Sequence, residues 1–254
     1  MVQMRQATGT DTRQTSGLLR VIGKEPVTPK MLRLTAEIDV PHLPVDPDCP
    51  NQVVRLSPPA DVATGATSGA RPPSRTYTIR RYDDESGRLD IDVVLHGDGP
   101  FVRWAMAAAP GATIPFTGPR PHAVPSFDGD ALVIASDETG LPAVAALLEV
   151  APAGLRVHAF VEVADAGEQQ PLRTEADLHL HWLHRDGTPA GSTGALERSV
   201  RELTWPDGRV EVWVAGETSE VRAIRRLAGS ERGVARSDIH AYGYWRLGRS
   251  GSPS

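Results

Sequence analysis

Ser74-Arg75-Thr76-Tyr77-Thr78-Ile79-Arg80 is the stretch around which the rest of the chain is arranged. Thr, Tyr and Ile favour a pleated, half-buried backbone, so the stretch reads as a strand. A period of two puts Arg75 and Tyr77 on one face and Thr78 and Arg80 near the other. A cation, an aromatic ring and a hydroxyl within four residues can hold an anionic group, a flat ring and a hydrogen-bonding edge together. An exposed strand with ordinary charges carries the same residue types, and short matches are common, so the surroundings must decide.

Downstream, polar residues 83–87 form a turn. Residues 89–96 then alternate, with Leu89, Ile91, Val93 and Leu95 on one face and Asp90 and Asp92 on the other. Two strands joined by a short turn predict an antiparallel hairpin between 74–80 and 89–96. His96-Gly97-Asp98-Gly99-Pro100-Phe101 follows. Its glycines allow a tight turn, and Pro100 suits the first position of a helix that runs to Ala109 and stops at Pro110-Gly111. A last strand at 112–117 ends at Gly118-Pro119-Arg120. Upstream, 18–25, 31–38 and 52–56 read as strands, and the proline-rich 41–50 and small-residue 58–73 as loops. Strands around one short helix predict a small six-stranded antiparallel β-barrel of Greek-key type.

Beyond a proline-rich boundary the texture changes. Residues 131–135 are a continuous apolar run, as in a buried parallel strand. Helical segments at 143–150, 193–203 and 219–228 alternate with strands at 156–163, 178–183, 210–215 and 239–245, which implies an α/β parallel sheet. The expected division is a disordered arm (1–17), the barrel (18–120), a linker (121–129), the α/β domain (130–248) and a disordered tail (249–254).

Whole-chain composition excludes several classes. Among 254 residues, 40% are hydrophobic and 23% charged, ordinary for a globular protein. The net charge of -5 gives no case for nucleic acid. No apolar run is long enough to span a membrane. The polar start lacks a signal peptide's apolar core, and the single cysteine, Cys49, forms no internal disulfide; both fit a cytoplasmic protein.

A barrel followed by an α/β domain leaves a cleft, a common ligand site. The helix start at Gly99-Pro100-Phe101 offers unpaired N–H groups and a positive dipole end to a diphosphate. In the second half, Asp137-Glu138-Thr139-Gly140-Leu141-Pro142 follows the first parallel strand and opens a helix. Ala215-Gly216-Glu217 ends a later strand in the same way, and ligands of open sheets gather at such ends. The G-x-G-x-x-G fingerprint is absent.

These residues carry a resemblance. Arg75-Thr76-Tyr77-Thr78, His96-Gly97-Asp98-Gly99-Pro100, Gly118-Pro119-Arg120, Asp137-Glu138-Thr139, Ala215-Gly216-Glu217 and Gly243-Tyr244-Trp245-Arg246 occur in the order of the siderophore-interacting proteins. These are FAD-dependent ferric-siderophore reductases related to the ferredoxin–NADP reductases, and the match runs over 18–248. The resemblance implies an FAD-binding barrel, an NAD(P)-binding α/β domain using NADPH or NADH, and a ferric siderophore as substrate. On it, Arg75 holds the FAD phosphates, Tyr77 lies against the isoalloxazine and Thr78 bonds near its reactive nitrogen. Thr76 shares that motif. His96, Gly97, Gly99, Pro100 and Phe101 wrap the ribityl and diphosphate, with Trp104 on the same helix. Asp137, Glu138, Thr139, Gly216 and Glu217 border the nicotinamide dinucleotide, and Trp245 sits near the flavin. Arg81, Arg120 and Arg246, beside these motifs, are candidates to attract the anionic siderophore. The electron step needs no protein acid or base. A monomer is expected. Two other readings stay open: a reductase serving another acceptor, and a non-catalytic siderophore-binding protein.

Three departures from the family pattern matter. Pro121 replaces a usual Gly, removing an N–H and stiffening the turn. Phe101 stands where Ala or Gly is frequent, which predicts a more crowded diphosphate turn. Gly140 replaces a frequent Ala. Other candidates weigh less. His179 and His181 share a strand face, but His184 does not, and no carboxylate or cysteine completes a metal set. Arg222, Arg225 and Arg226 read as a solvated helix face. No nucleophile elbow or catalytic triad occurs. Asp46 and Asp48 lack the glycine pattern of a calcium loop.

Overall fold

In a computed structural model of the chain, residues 15–40, 43–46, 49–59 and 74–248 are described. The expected arm up to residue 14, the loop from 60 to 73, Asp48 and the tail from 249 lie outside them. No helix among the described residues is long and apolar enough to cross a membrane.

The first half is an antiparallel sheet of β1 (Ser16–Thr28), β2 (Met31–Ile38), β3 (Gln52–Leu56), β4 (Arg75–Thr78), β5 (Arg81–Asp83), β6 (Arg88–Val94) and β7 (Thr113–Pro121). Their order is β4-β3-β7-β1-β2-β6-β5. The two edge strands, β4 and β5, are consecutive in sequence, and this closes the sheet into a barrel. The Ile79 N–H still bonds to the Gln52 carbonyl beside β3, while the Arg80 N–H bonds to the Asp90 carbonyl of β6, both at 2.8 Å. Counting β4 and β5 as one bent strand leaves six staves. The expected hairpin is corrected here: β4 pairs with β3, and only β5 pairs with β6. The segment changes partners at Ile79, which local alternation cannot reveal.

The alternation of β6 is present as read. Leu89, Ile91 and Val93 enter a core with Leu19, Leu34 and Phe116. On the other face Asp92 faces Arg33 across the β2–β6 pair and receives two hydrogen bonds from its guanidinium, at 2.7 and 2.8 Å. Helix α1 (Pro100–Ala107) buries Phe101, Trp104 and Ala105 in the same core. Strand β7 runs beyond its expected end. Pro121 is therefore no turn residue: it is the last residue of β7, exposed and aligned with Gln52, a strand-end position where a missing N–H is tolerated.

The second half is a parallel sheet of β8 (Ala131–Asp137), β9 (Arg156–Val163), β10 (Asp177–His184), β11 (Val210–Glu217) and β12 (Ile239–Trp245), ordered β10-β9-β8-β11-β12. Every residue of β8 and β11 is buried, because both faces of the sheet are covered. Leu132 and Ile134 pack towards α2 (Leu141–Val150). Ala131, Val133 and Ala135 pack towards α3 (Ala195–Glu202) and α4 (Thr218–Arg226). Topology reverses between β8 and β11, where the crevice of an open α/β sheet forms.

The halves are packed together. Met31 of the barrel is buried in the α2-side core. The Glu168 carboxylate accepts from the Thr28 hydroxyl at 2.5 Å and the Lys30 N–H at 3.0 Å. Arg80 donates twice to Glu149 at the end of α2, at 2.9 and 2.6 Å.

Candidate functional site

A cavity of about 600 Å³ lies between barrel and parallel sheet. The barrel lines it with Arg75, Thr76, Tyr77 and Thr78 of β4, with His96 to Pro100, and with Arg120 and His122 at the end of β7. The second half contributes Thr139, Pro142 and all of 241–245 in β12. Strand β4 reaches the cavity because it is a sheet edge whose N–H and C=O groups pair only with β3.

Helix α1 starts at this wall. Its N-cap, Gly99, makes no side-chain capping bond, so the first-turn amides are available to a ligand. Gly97 has φ +61°, and a Cβ placed on Gly97 or Gly99 would meet nothing within 4 Å. Open space, uncapped amides and the Arg75 cation at one wall suit a diphosphate. Tyr77 and Thr78 next to them suit a flat ring with a polar edge. The residues present therefore fit FAD in a cavity of ordinary ligand size.

Tyr77 stacks on Phe101 with ring centroids 4.3 Å apart. Burial raises the Tyr77 hydroxyl far above its usual range against the pull of Arg75, so it stays protonated. The crowding expected from Phe101 does not occur: its ring is only 4% exposed and turns into the barrel core beneath Tyr77. Trp104 is likewise a core residue packed on Phe101 and does not line the cavity. Burial, with help from Arg75 and against Glu138, lowers the pKa of His96. The same cause, with Arg120, lowers His122.

A floor of aromatic rings went unread in the sequence. His122 stacks on Tyr242 at 4.8 Å with planes 5° apart, and Tyr244 lies 6.1 Å from His122. The Tyr244 hydroxyl is buried beside Asn51 and Thr78 without a well-aligned hydrogen bond to either, and burial raises its pKa. The alternation of Tyr242 and Tyr244 in a terminal strand was the available signal.

The nicotinamide candidates divide. Thr139 faces the large cavity. Glu138 lines a smaller adjoining cavity of about 270 Å³, which shares His96 and Gly97 with the first. There Arg185 holds Glu138 with two bonds of 2.5 and 2.6 Å and lies 3.5 Å from Glu162. Arg185, 47 residues from Glu138, left no local signal. Asp137 and Glu217 are buried and turned inward: Asp137 takes internal hydrogen bonds, and Glu217 caps α4. Gly216 lies against the Asp137 carboxylate. Among the cationic candidates only Arg120 lines the cavity, while Arg81 and Arg246 are exposed outside its lining. Arg222, Arg225 and Arg226 face solvent on α4. His179 and His181 stack across the β9–β10 pair on His158 and Phe160, and His184 contacts Gln169.

Known proteins bear on this geometry. Residues 43–123 match the model of the siderophore-interacting FAD-binding domain, and 129–248 that of the siderophore-interacting protein. The ferric vibriobactin reductase of Vibrio cholerae is 32% identical over 183 residues, covering 71% of this chain and 67% of the relative. The ferric acinetobactin reductase of Acinetobacter baumannii is 28% identical, covering 80% and 69%. The crystal structure of a siderophore utilization protein from T. fusca superposes with a TM-score of 0.83 at 36% identity, covering 94% of this chain and 96% of that one. With a fold, a cavity and two adjacent family matches in agreement, the chain belongs to the siderophore-interacting protein family, and residues 43–123 of its barrel half match that family's FAD-binding domain.

Proposed function

We propose that this protein is a flavin-dependent reductase that passes electrons from a reduced nicotinamide nucleotide to Fe(III) held by a siderophore. The observation that carries the reading is the single cavity lined on one side by Arg75, Tyr77, Thr78 and the α1 start, and on the other by Thr139 and Trp245. Bound FAD supplies the redox chemistry, taking two electrons as hydride and yielding them one at a time. In this reading Arg75 and the first-turn amides of α1 hold the diphosphate, and Tyr77, stiffened by Phe101, forms a flat wall for the ring. Thr78 supplies a hydroxyl at the ring's polar edge. Thr139 and the smaller cavity at the end of β8 receive the nicotinamide nucleotide, NADH or NADPH. Arg120 at the rim attracts the anionic ferric siderophore. Fe(II) is held less tightly by the hard oxygen donors of a siderophore, so reduction releases the metal. Two Fe(III) centres accept the two electrons of one hydride.

A nicotinamide donor, a reductant of the cytoplasm, supports a cytoplasmic location. The domain division at 18–120 and 130–248 assigns the flavin to the first unit and the nucleotide to the second. The test is anaerobic mixing of FAD-loaded protein with NADH or NADPH, followed by ferric siderophore and an Fe(II) trap. Flavin bleaching, then recolouring with stoichiometric Fe(II), is expected. Bleaching without Fe(II) would sink the iron-reductase reading.

A further inference from the structure

The crevice expected between the carboxyl ends of β8 and β11 is closed by one side chain. Asp137 Oδ2 accepts the Glu217 N–H at 3.0 Å and the Trp245 indole N–H at 2.7 Å. Asp137 Oδ1 accepts the Thr139 N–H at 2.8 Å and the Thr139 hydroxyl. Gly216, at φ +142°, makes room, since a Cβ there would stand 2.6 Å from Oδ2.

Trp245 is gripped at two further points. Its carbonyl accepts from the Thr218 hydroxyl at 2.6 Å. Its ring edge rests on Gly191, where a Cβ would lie 2.8 Å from Cη2. Strict alternation would send Tyr244 and Trp245 to opposite faces of β12. The β11–β12 register slips between Gly216 and Glu217, so that Gly216 pairs with Gly243 and Glu217 with Trp245. Such an irregularity re-aims side chains, and both rings line the cavity.

We propose that Asp137 is a positioning residue: its buried carboxylate fixes Trp245 as a rigid wall of the cofactor cavity and so sets the space in which the flavin and nicotinamide rings meet. The inference deepens the reductase reading and rests on it. Asp137 touches no cavity space itself; it acts through the indole.

The clamp has a pH dependence built in. Burial, then the charge of Glu138, raises the Asp137 carboxyl to about 6, against the hydrogen bonds from Thr139 and Trp245. Glu162 on β9 and Glu217 on β11 add negative charge around it, Glu220 on α4 is raised to about 7 and so is mostly protonated near the Asp137 value, Arg185 after β10 adds positive charge, and Tyr244 on β12 is neutral. A proton on Oδ2 turns an acceptor into a donor, and that oxygen then no longer receives both the Glu217 and Trp245 N–H groups.

The experiment uses the full chain labelled with 5-fluorotryptophan, which gives one fluorine line for each of the five tryptophans. Trp245→Phe identifies the Trp245 line by its loss. In the wild type that line is expected to titrate with a midpoint near the Asp137 value of about 6. In Asp137→Asn the titration is expected to vanish. FAD dissociation constants are measured alongside. Asp137→Asn and Trp245→Phe are each expected to weaken FAD by roughly tenfold, about one hydrogen bond to a charged acceptor, with the double variant no weaker than either. A Trp245 line that ignores pH, or penalties that multiply in the double variant, overturns the clamp. If Asp137→Asn does not fold, Trp245→Phe keeps the carboxylate, and loss of the wild type's pH-dependent FAD affinity between pH 5 and 8 decides. Wild-type protein that binds no FAD while its Trp245 line titrates refutes the flavin reading and leaves the clamp standing.

Discussion

Replacing Gly140 with alanine restores the residue that the family often carries, yet it is expected to destabilise this protein. Gly140 caps α2 with φ -94° and ψ -6°, which alanine adopts without strain. By unfolded-state entropy alone the change would add about 0.4–1 kcal/mol of stability. The new Cβ, however, would stand 2.1 Å from Ser136 Oγ, 3.2 Å from Ala215 Cβ and 3.4 Å from Ser136 Cβ. Ser136 is fully buried, and its hydroxyl donates to the Asp137 carbonyl at 2.9 Å. Rotating it away forfeits that bond inside the core, a cost of about 1–3 kcal/mol, with overpacking against Ala215 in addition. The net loss is about 1–3 kcal/mol, or roughly 3–9 °C in Tm for a chain of this size. Ser136→Ala removes the clashing atom. Thermal unfolding by circular dichroism on Ser136→Ala, Gly140→Ala and the pair should then show a coupling of at least ~1 kcal/mol in favour of the pair. Coupling below about 0.5 kcal/mol, or a Gly140→Ala protein as stable as the wild type, would refute the steric account.

Arg75→Ala is expected to weaken FAD by at least about tenfold while leaving the far-ultraviolet spectrum intact, since a charge-assisted phosphate contact is worth ~1.5–3 kcal/mol; flavin fluorescence titration checks it. Glu168→Ala strands the Thr28 hydroxyl and the Lys30 N–H at the junction of the two halves. It should cost about 2–3 kcal/mol and speed amide exchange at 28–31. Burial, then the charges of Glu162, Asp137 and Glu217, raises Glu220 to about 7 from 4.5. A raised carboxyl binds more protons folded than unfolded, so its contribution falls as pH rises from about 4.5 to 7. Glu220→Gln should therefore gain on the wild type across that window, by up to ~3 kcal/mol in denaturant titrations at pH 8. A flat difference between pH 4.5 and 8 would count against it.

Where a residue's neighbours in space are its neighbours in sequence, the chain was readable. The run 131–135 is apolar because β8 is covered on both faces, and Leu89, Ile91 and Val93 alternate because β6 is covered on one. The motif strand itself was misjudged at its pairing, because the change of partner at Ile79 depends on β3 and β6, both remote in sequence. Phe101 looked like an obstruction to the diphosphate turn. Only the barrel core shows that its ring has an apolar place to go, under Tyr77. Asp137 and Glu217 stand at the border of the nucleotide only through the family resemblance. Their actual partners are the Trp245 indole, the Thr139 turn and the first amides of α4. A carboxylate that receives such bonds looks, in sequence, the same as one that faces a ligand.

That burial leaves the far wall of the large cavity, Thr139, Pro142 and residues 241–245, without a charged side chain. The barrel wall presents Arg75, Arg120 and Asp98; Asp98 pairs with Arg103 at 3.1 Å, and Asp92 is taken up by Arg33. Behind the far wall, Glu138, Glu162 and Asp137 surround Arg185, and Glu162, Asp137 and Glu217 surround Glu220, whose own carboxyl is raised to about 7. A low-dielectric cleft focuses such a field and sorts the charged ends of its ligands. In the proposed function, phosphates are drawn to Arg75 and the α1 amides, which orients a flavin dinucleotide along the barrel. On the proposed reading, the uncharged wall admits a second nucleotide by its nicotinamide end, which has no negative charge, rather than by its diphosphate. On the same reading, an anionic ferric chelate is held at the Arg120 rim. On the proposed reading, hydride donor and iron acceptor thus approach one flavin from electrostatically different sides, the uncharged wall and the cationic rim.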